Sequence, residues 1–115
     1  MAHCVTHHAT YDVIAYKLKT NNLKLLVADT PDKWTYGLMN IKSKKDICNA
    51  EGMIFKFPIA LPQTFWNKDT LVDLDVYWMN GDEIERTSEL TAITTVGPQT
   101  ISSPVSVSTV IEIIK

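Results

Sequence analysis

The sequence has no apolar run approaching the ~20 residues that a membrane-spanning helix requires, and its first residues carry neither a basic segment nor a following apolar stretch of the export type. No membrane span is expected, and the compartment stays open, since a signal already removed from a secreted protein would leave the same sequence. Charge of one sign is also lacking. Eleven basic residues stand against thirteen acidic ones, for a net charge of -2, so there is no broad field to attract a phosphate backbone. Nucleic acid is not an expected partner. Cysteine is scarce: Cys4 and Cys48 are too few and too far apart in sequence to read as a disulfide framework or a metal knuckle. There is no Gly-x-Ser-x-Gly elbow, phosphate-cradling glycine loop or Cys-x-x-Cys pair. All three histidines fall in the first ten residues, so Cys48, whose lysine neighbours would lower its thiol pKa, has no nearby base in sequence. A serine or thiol enzyme is not expected.

What is present is an ordinary globular composition, 45% apolar and 21% charged over 115 residues, enough for one packed core and too little for two. Residues 11–115 read as one β-rich domain. Ile14, Tyr16 and Leu18 alternate with Ala15, Lys17 and Lys19. After a turn at Asn21-Asn22, Leu23, Leu25 and Val27 share a face, which predicts a hairpin. Thr30-Pro31-Asp32 is a helix start, with a hydroxyl cap, a proline in the first turn and an acid at the positive end. The helix spans about Pro31 to Met39 and is short, because Gly37 weakens it and Asn40 stops it. Ile41 to Glu51 reads as a lysine-rich surface loop ending at Gly52. Met53, Phe55 and Phe57 face inward on a strand stopped by Pro58, and Ile59 to Thr64 is irregular around Pro62. Leu71 to Met79 is a strand with Val72, Leu74, Val76 and Trp78 on one face. Asn80-Gly81 turns it into Glu83–Arg86. Leu90 to Pro104 reads as a long surface loop. Val105, Val107, Thr109, Ile111 and Ile113 form the final strand. Many short strands and one helix predict a mainly β fold, a β sandwich or partly open barrel, and no βαβ alternation points to a parallel sheet.

The first ten residues hold His3, Cys4, His7 and His8 without strand or turn pattern. They read as a flexible N-terminal tail or a remnant foreign to the native chain. Imidazole and thiolate at such spacing are also candidate ligands for zinc or copper, and Cys4 is a third thing besides, a possible first residue of a mature lipoprotein.

Four segments in order carry a family resemblance: Val27-Ala28-Asp29-Thr30-Pro31, Gly37-Leu38-Met39, Glu51-Gly52-Met53-Ile54-Phe55, and Phe65-Trp66-Asn67-Lys68-Asp69-Thr70 followed by Leu74-Asp75. Over Leu23 to about Arg86 the sequence resembles the family called domain of unknown function 192. The resemblance implies a β sandwich of jelly-roll type with the helix covering one end. It assigns no reaction. The sequence departs from the family pattern at Asn67, where relatives commonly have Met, at Asp69, where they have Asn, and at Ile41, where a basic residue is frequent. Relatives also continue past the strand holding Glu112, whereas this sequence stops at Lys115, so either the fold is trimmed or one element lies beyond the sequence.

The candidate site lies in the last of those segments. Adjacent aromatics on a strand point to opposite faces, so of Phe65 and Trp66 one packs inward and the other lines an edge or groove, unless both are buried. An exposed ring beside Lys68, Asp69 and Thr70 suits a sugar or a peptide side chain. Asp73 and Asp75 share a strand face about 7 Å apart, a spacing that suits a hard cation or an acid and base pair, and equally a plain solvent face. Glu51 joins them if the fold brings it near. Trp34, Met39 and Met53 read as core. With no cofactor implied, the expected function is a non-catalytic binding module with a groove near Phe65–Thr70 for a small ligand, glycan or protein segment. The alternatives are a carboxylate-dependent or metal-dependent hydrolase acting on saccharides, and an accessory domain that docks on a protein partner.

Overall fold

A computed structural model describes residues 2–115. Nine strands and two short helices follow the chain: β1 Ala2–Val5, β2 Thr10–Leu18, β3 Asn21–Ala28, α1 Pro31–Tyr36, β4 Gly52–Leu61, β5 Thr64–Trp66, β6 Leu74–Asn80, β7 Glu83–Leu90, α2 Ile93–Val96, β8 Thr100–Ser102 and β9 Val107–Ile114. Seven of the strands form one mixed sheet in the order β1-β2-β3-β4-β9-β6-β7, and β5 pairs with β8 in a second, two-stranded sheet. The mainly β class and the short helix from Pro31 are as expected. Thr30 accepts the Lys33 N–H at the helix start, and Gly37 ends the helix with φ at 52°.

Both faces of the central strands are buried, which explains their near-continuous apolar sequences. On one face Tyr11, Leu26, Met53, Phe55, Val76, Trp78 and Val110 form the main core, covered by α1 and by Phe65 and Ile101 of the small sheet. On the other, Leu25, Val27, Ile54, Met79 and Ile111 form a second cluster. The large sheet curls around this second cluster without closing. Tyr16 of β2 donates a hydrogen bond to Asp82 in the β6–β7 turn at 2.7 Å, although β2 and β6 are separated by three strands in the sheet.

Several local expectations are corrected. Residues 2–5 are not a patternless tail: they pair antiparallel with β2, Cys4 opposite Tyr11. A disulfide joins Cys4 to Cys48, with Cα atoms 6.0 Å apart across a sequence separation of 44. Distance along the chain is no guide to distance in a sheet, so these two cysteines pair although they stand too far apart in sequence to read as a disulfide framework. The pair β3/β4 is parallel, because Asp29 to Glu51, read as a helix and a loop, is long enough to act as the crossover that parallel pairing needs. That loop also contains a 3-10 turn capped by Ser43, with Ile47 buried. β4 runs past Pro58 to Leu61 through an irregularity in its pairing with β9, a place where a strand tolerates proline. Leu90–Pro104 is not one loop, since α2 and β8 lie within it and Ile101 pairs opposite Phe65. The first hairpin turns at Lys19-Thr20, two residues before the expected Asn21-Asn22, with Leu18 opposite Asn21 and Lys19 at positive φ.

Candidate functional site

The segment that follows α1 and the strands β4, β5 and β9 enclose a cavity of about 290 Å³. Its walls are aromatic: Trp34 and Tyr36 from α1, Phe55 and Phe57 from β4, Phe65 and Trp66 from β5. Each ring is held by something specific. The Trp34 indole donates to the Ala28 carbonyl at 3.0 Å and meets Phe57 at a ring separation of 5.1 Å. Phe65 packs edge-on to Phe55 at 5.0 Å and to Trp78 at 5.7 Å. Strand alternation then turns Trp66 the other way, and it is 54% exposed at the mouth. The Tyr36 hydroxyl is engaged by His7 and by Asn40, each at 3.0 Å, and the His8 ring stacks on it at 3.7 Å.

Glu112 of β9 also lines this cavity. It is buried, 3% exposed, and its neighbours across the sheet are Met53 on β4 and Val76 on β6. Among the described residues no group donates a hydrogen bond to its carboxyl, and burial alone pushes its pKa up to about 8. A carboxylic acid largely removed from water and without a charged partner favours its neutral form. Gly37 leaves the space above it: a β-carbon there would lie 3.4 Å from Cζ of Phe55 and 4.0 Å from Oε1 of Glu112. Sequence reasoning passed over Glu112 by treating the Ile111/Ile113 face as the buried one. The available signal was a lone acid inside Val110-Ile111-Glu112-Ile113-Ile114, a run apolar enough to be covered on both faces.

Of the residues singled out in the sequence, Phe65, Trp66 and Thr70 border the cavity. Lys68 stands beside it, its ammonium 5.4 Å from the Trp66 ring centre. Asp69 shapes the turn, with φ at 53°, a conformation that Asn and Asp tolerate better than most residues. The three other acids are elsewhere. Asp73 accepts the Ala92 N–H at 2.9 Å, Asp75 lies 3.6 Å from the Lys115 ammonium, and Glu51 accepts the Lys24 N–H. None of the three lines the cavity. Of the residues read as core, Met53 is core and Trp34 packs against the core while also lining the cavity, whereas Met39 is a cavity wall. Asn67 is buried and clamps the adjoining segment, donating to the carbonyls of Thr91 and Gly97 and accepting the Gln99 N–H. Ile41 is buried in the main core.

The N-terminal histidines are not gathered into a ligand set. His3 lies 3.2 Å from Asp12 and His8 3.0 Å from Asp32, His7 is on Tyr36, and the Cys4 sulfur is in the disulfide.

The sequence profile of domain of unknown function 192, described as "Uncharacterized ACR", matches residues 14–115. The chain belongs to this family. No curated protein matches its sequence. Two solved structures share the fold of this domain of unknown function 192 member. One is a protein of unknown function from Novosphingobium aromaticivorans DSM 12444, with a TM-score of 0.72 and 19% identity over 98% of this chain and 81% of that one. The other is named as a "putative transcription regulator" from Sinorhizobium meliloti 1021, with a TM-score of 0.67 and 23% identity over 97% of this chain and 77% of that one. At these identities the likeness is one of fold.

Proposed function

We propose that this protein is a non-catalytic binding module whose small-molecule ligand enters the cavity bounded by α1, β4, β5 and β9. The observation that carries the reading is the carboxyl of Glu112, on a residue only 3% exposed, opening onto a cavity walled by aromatic rings. Ligand sites are mostly apolar concavities with a few convergent polar groups, and Glu112 supplies such a group among the rings. Of the segment Phe65–Thr70 expected to form a groove, Phe65, Trp66 and Thr70 border this cavity, which supports the reading. A saccharide hydrolase of the usual kind needs two carboxyl groups flanking the bond to be cut. Here Glu112 is the single acid among the lining residues, and Asp73, Asp75 and Glu51 are engaged outside, which favours binding over hydrolysis.

Tryptophan fluorescence tests the reading directly, because Trp34 and Trp66 line the cavity. A library of small amines, sugars, alcohols and carboxylates is titrated, and each saturable hit is mapped by amide chemical shifts. Hits that quench the fluorescence and shift Gly37, Phe65 and Glu112 support the module. Hits that map elsewhere, or none in the whole library, overturn it.

A further inference from the structure

The geometry points to a ligand that carries an ammonium group, seated against the carboxylate of Glu112 and the aromatic faces around it. This rests on the binding-module reading and adds the charge of the ligand.

The first ground is the charge inventory of the cavity. Its lining residues comprise one carboxylic acid and no lysine, arginine or histidine. A carboxylate or phosphate ligand would lose water without meeting a cation among the lining residues, and would face Glu112 as well. Burying an unpaired charge of that kind is strongly unfavourable. An ammonium ligand reverses the situation, because it supplies the positive partner that Glu112 lacks and lets the carboxyl ionise.

The second ground is the rings. The faces of tryptophan, tyrosine and phenylalanine attract cations through their quadrupoles, most strongly where water is excluded. Trp34, Phe57, Phe55 and Phe65 bring such rings close to one acid, and their mutual packing holds them in place.

The third ground is that no other group facing Glu112 accounts for its state. From α1 the titratable lining group is Tyr36, whose hydroxyl is engaged by His7 and Asn40, with His8 stacked on its ring. The lining residues of β4 and β5 are not titratable, and β6 presents Val76 opposite the acid. Desolvation, with no compensating charge, leaves the acid largely protonated near neutral pH. Binding of an ammonium ion would therefore move the Glu112 proton to the buffer, while the cation remains intact.

The test uses the full chain and matched probes. Choline and butylamine form the cationic set. Each is paired with an uncharged isostere in which carbon or hydroxyl replaces the charged nitrogen, and with a carboxylate on the same skeleton. At least one cation is expected to bind about tenfold or more tightly than its isostere, with the carboxylate weakest. Calorimetry in two buffers of different ionisation enthalpy should show proton release for the cation and none for the isostere. Glu112→Gln, checked for folding by thermal melt, should erase both the preference and the release. If the uncharged or anionic probes bind the cavity as well as the cations, the ammonium assignment is overturned and the binding module stands. If no probe of any charge binds, both are overturned. The comparison of probes on the unmutated protein decides the matter even if the variant fails to fold.

Discussion

Gly37 lies over Glu112, a β-carbon at that position standing in ordinary contact 4.0 Å from the acid's Oε1. The φ of 52° and ψ of -130° at Gly37 belong to glycine almost alone, and forcing another residue there costs roughly 1–3 kcal/mol. Gly37→Ala should therefore lower stability by that amount and weaken any cavity ligand. Urea melts give the first quantity, and an alanine variant as stable as the parent would mean that the chain over Glu112 is not held in this conformation.

Glu112 should give the protein an inverted pH response. Its folded pKa, raised to about 8, lies above the ordinary carboxyl value, so between roughly pH 4.5 and 8 the folded state binds more protons from this group than the unfolded state. Its contribution is thus fully present in acid and is lost as pH rises through that window. The expected difference is a few kcal/mol by order of magnitude. Glu112→Gln should flatten this part of the profile and become more stable than the parent in mild alkali. Melts of both proteins at a series of pH values, compared as a difference to cancel the other carboxyls, check it. A constant difference across the window would contradict a protonated Glu112.

The Cys4–Cys48 disulfide should be a major source of stability, because it fastens the edge strand β1 to the crossover segment. Removing a native disulfide from a small domain typically costs about 2–5 kcal/mol. Cys4→Ala, or mild reductant, should lower the melting temperature by several degrees, and deletion of residues 1–10 should do at least as much. The last outcome is the opposite of what a dispensable tail would show.

The strands and the helix start were legible because their signals are local. Alternation marks β2, β6 and β9, and the threonine, proline and acid at positions 30–32 need only one turn of chain to act. The register of β1, the parallel pairing of β3 with β4 and the disulfide depend on what the rest of the chain presents, and nothing near Cys4 announces Cys48. The site was half visible for the same reason. Phe65 and Trp66 stand out as adjacent rings, and their opposite orientations follow from the strand. Glu112 becomes meaningful only once both faces of β9 are known to be covered, and Asp73 ceases to be a site candidate only once Ala92 is seen to donate to it.

Phe65 and Trp66 supply the last prediction, since one strand presents the first to the core and the second to the mouth of the cavity. Phe65 contacts Phe55 and Trp78, so Phe65→Ala removes a packed ring and leaves a void, a change that costs about 3–5 kcal/mol for a fully buried ring and somewhat less for this half-buried one. Trp66 is 54% exposed and makes its charged contact with the equally exposed Lys68, so Trp66→Ala and Lys68→Ala should each stay within about 1 kcal/mol of the parent. Binding should show the reverse order for one of them: Trp66→Ala, which removes a wall, loses affinity for cavity ligands while remaining folded. Denaturant melts and ligand titrations on the three variants separate the roles. A Trp66→Ala protein that unfolds with Phe65→Ala would make Trp66 a core residue and remove it from the site, whereas one that folds and binds as the parent does would leave the cavity in place and show that its mouth takes no part in recognition.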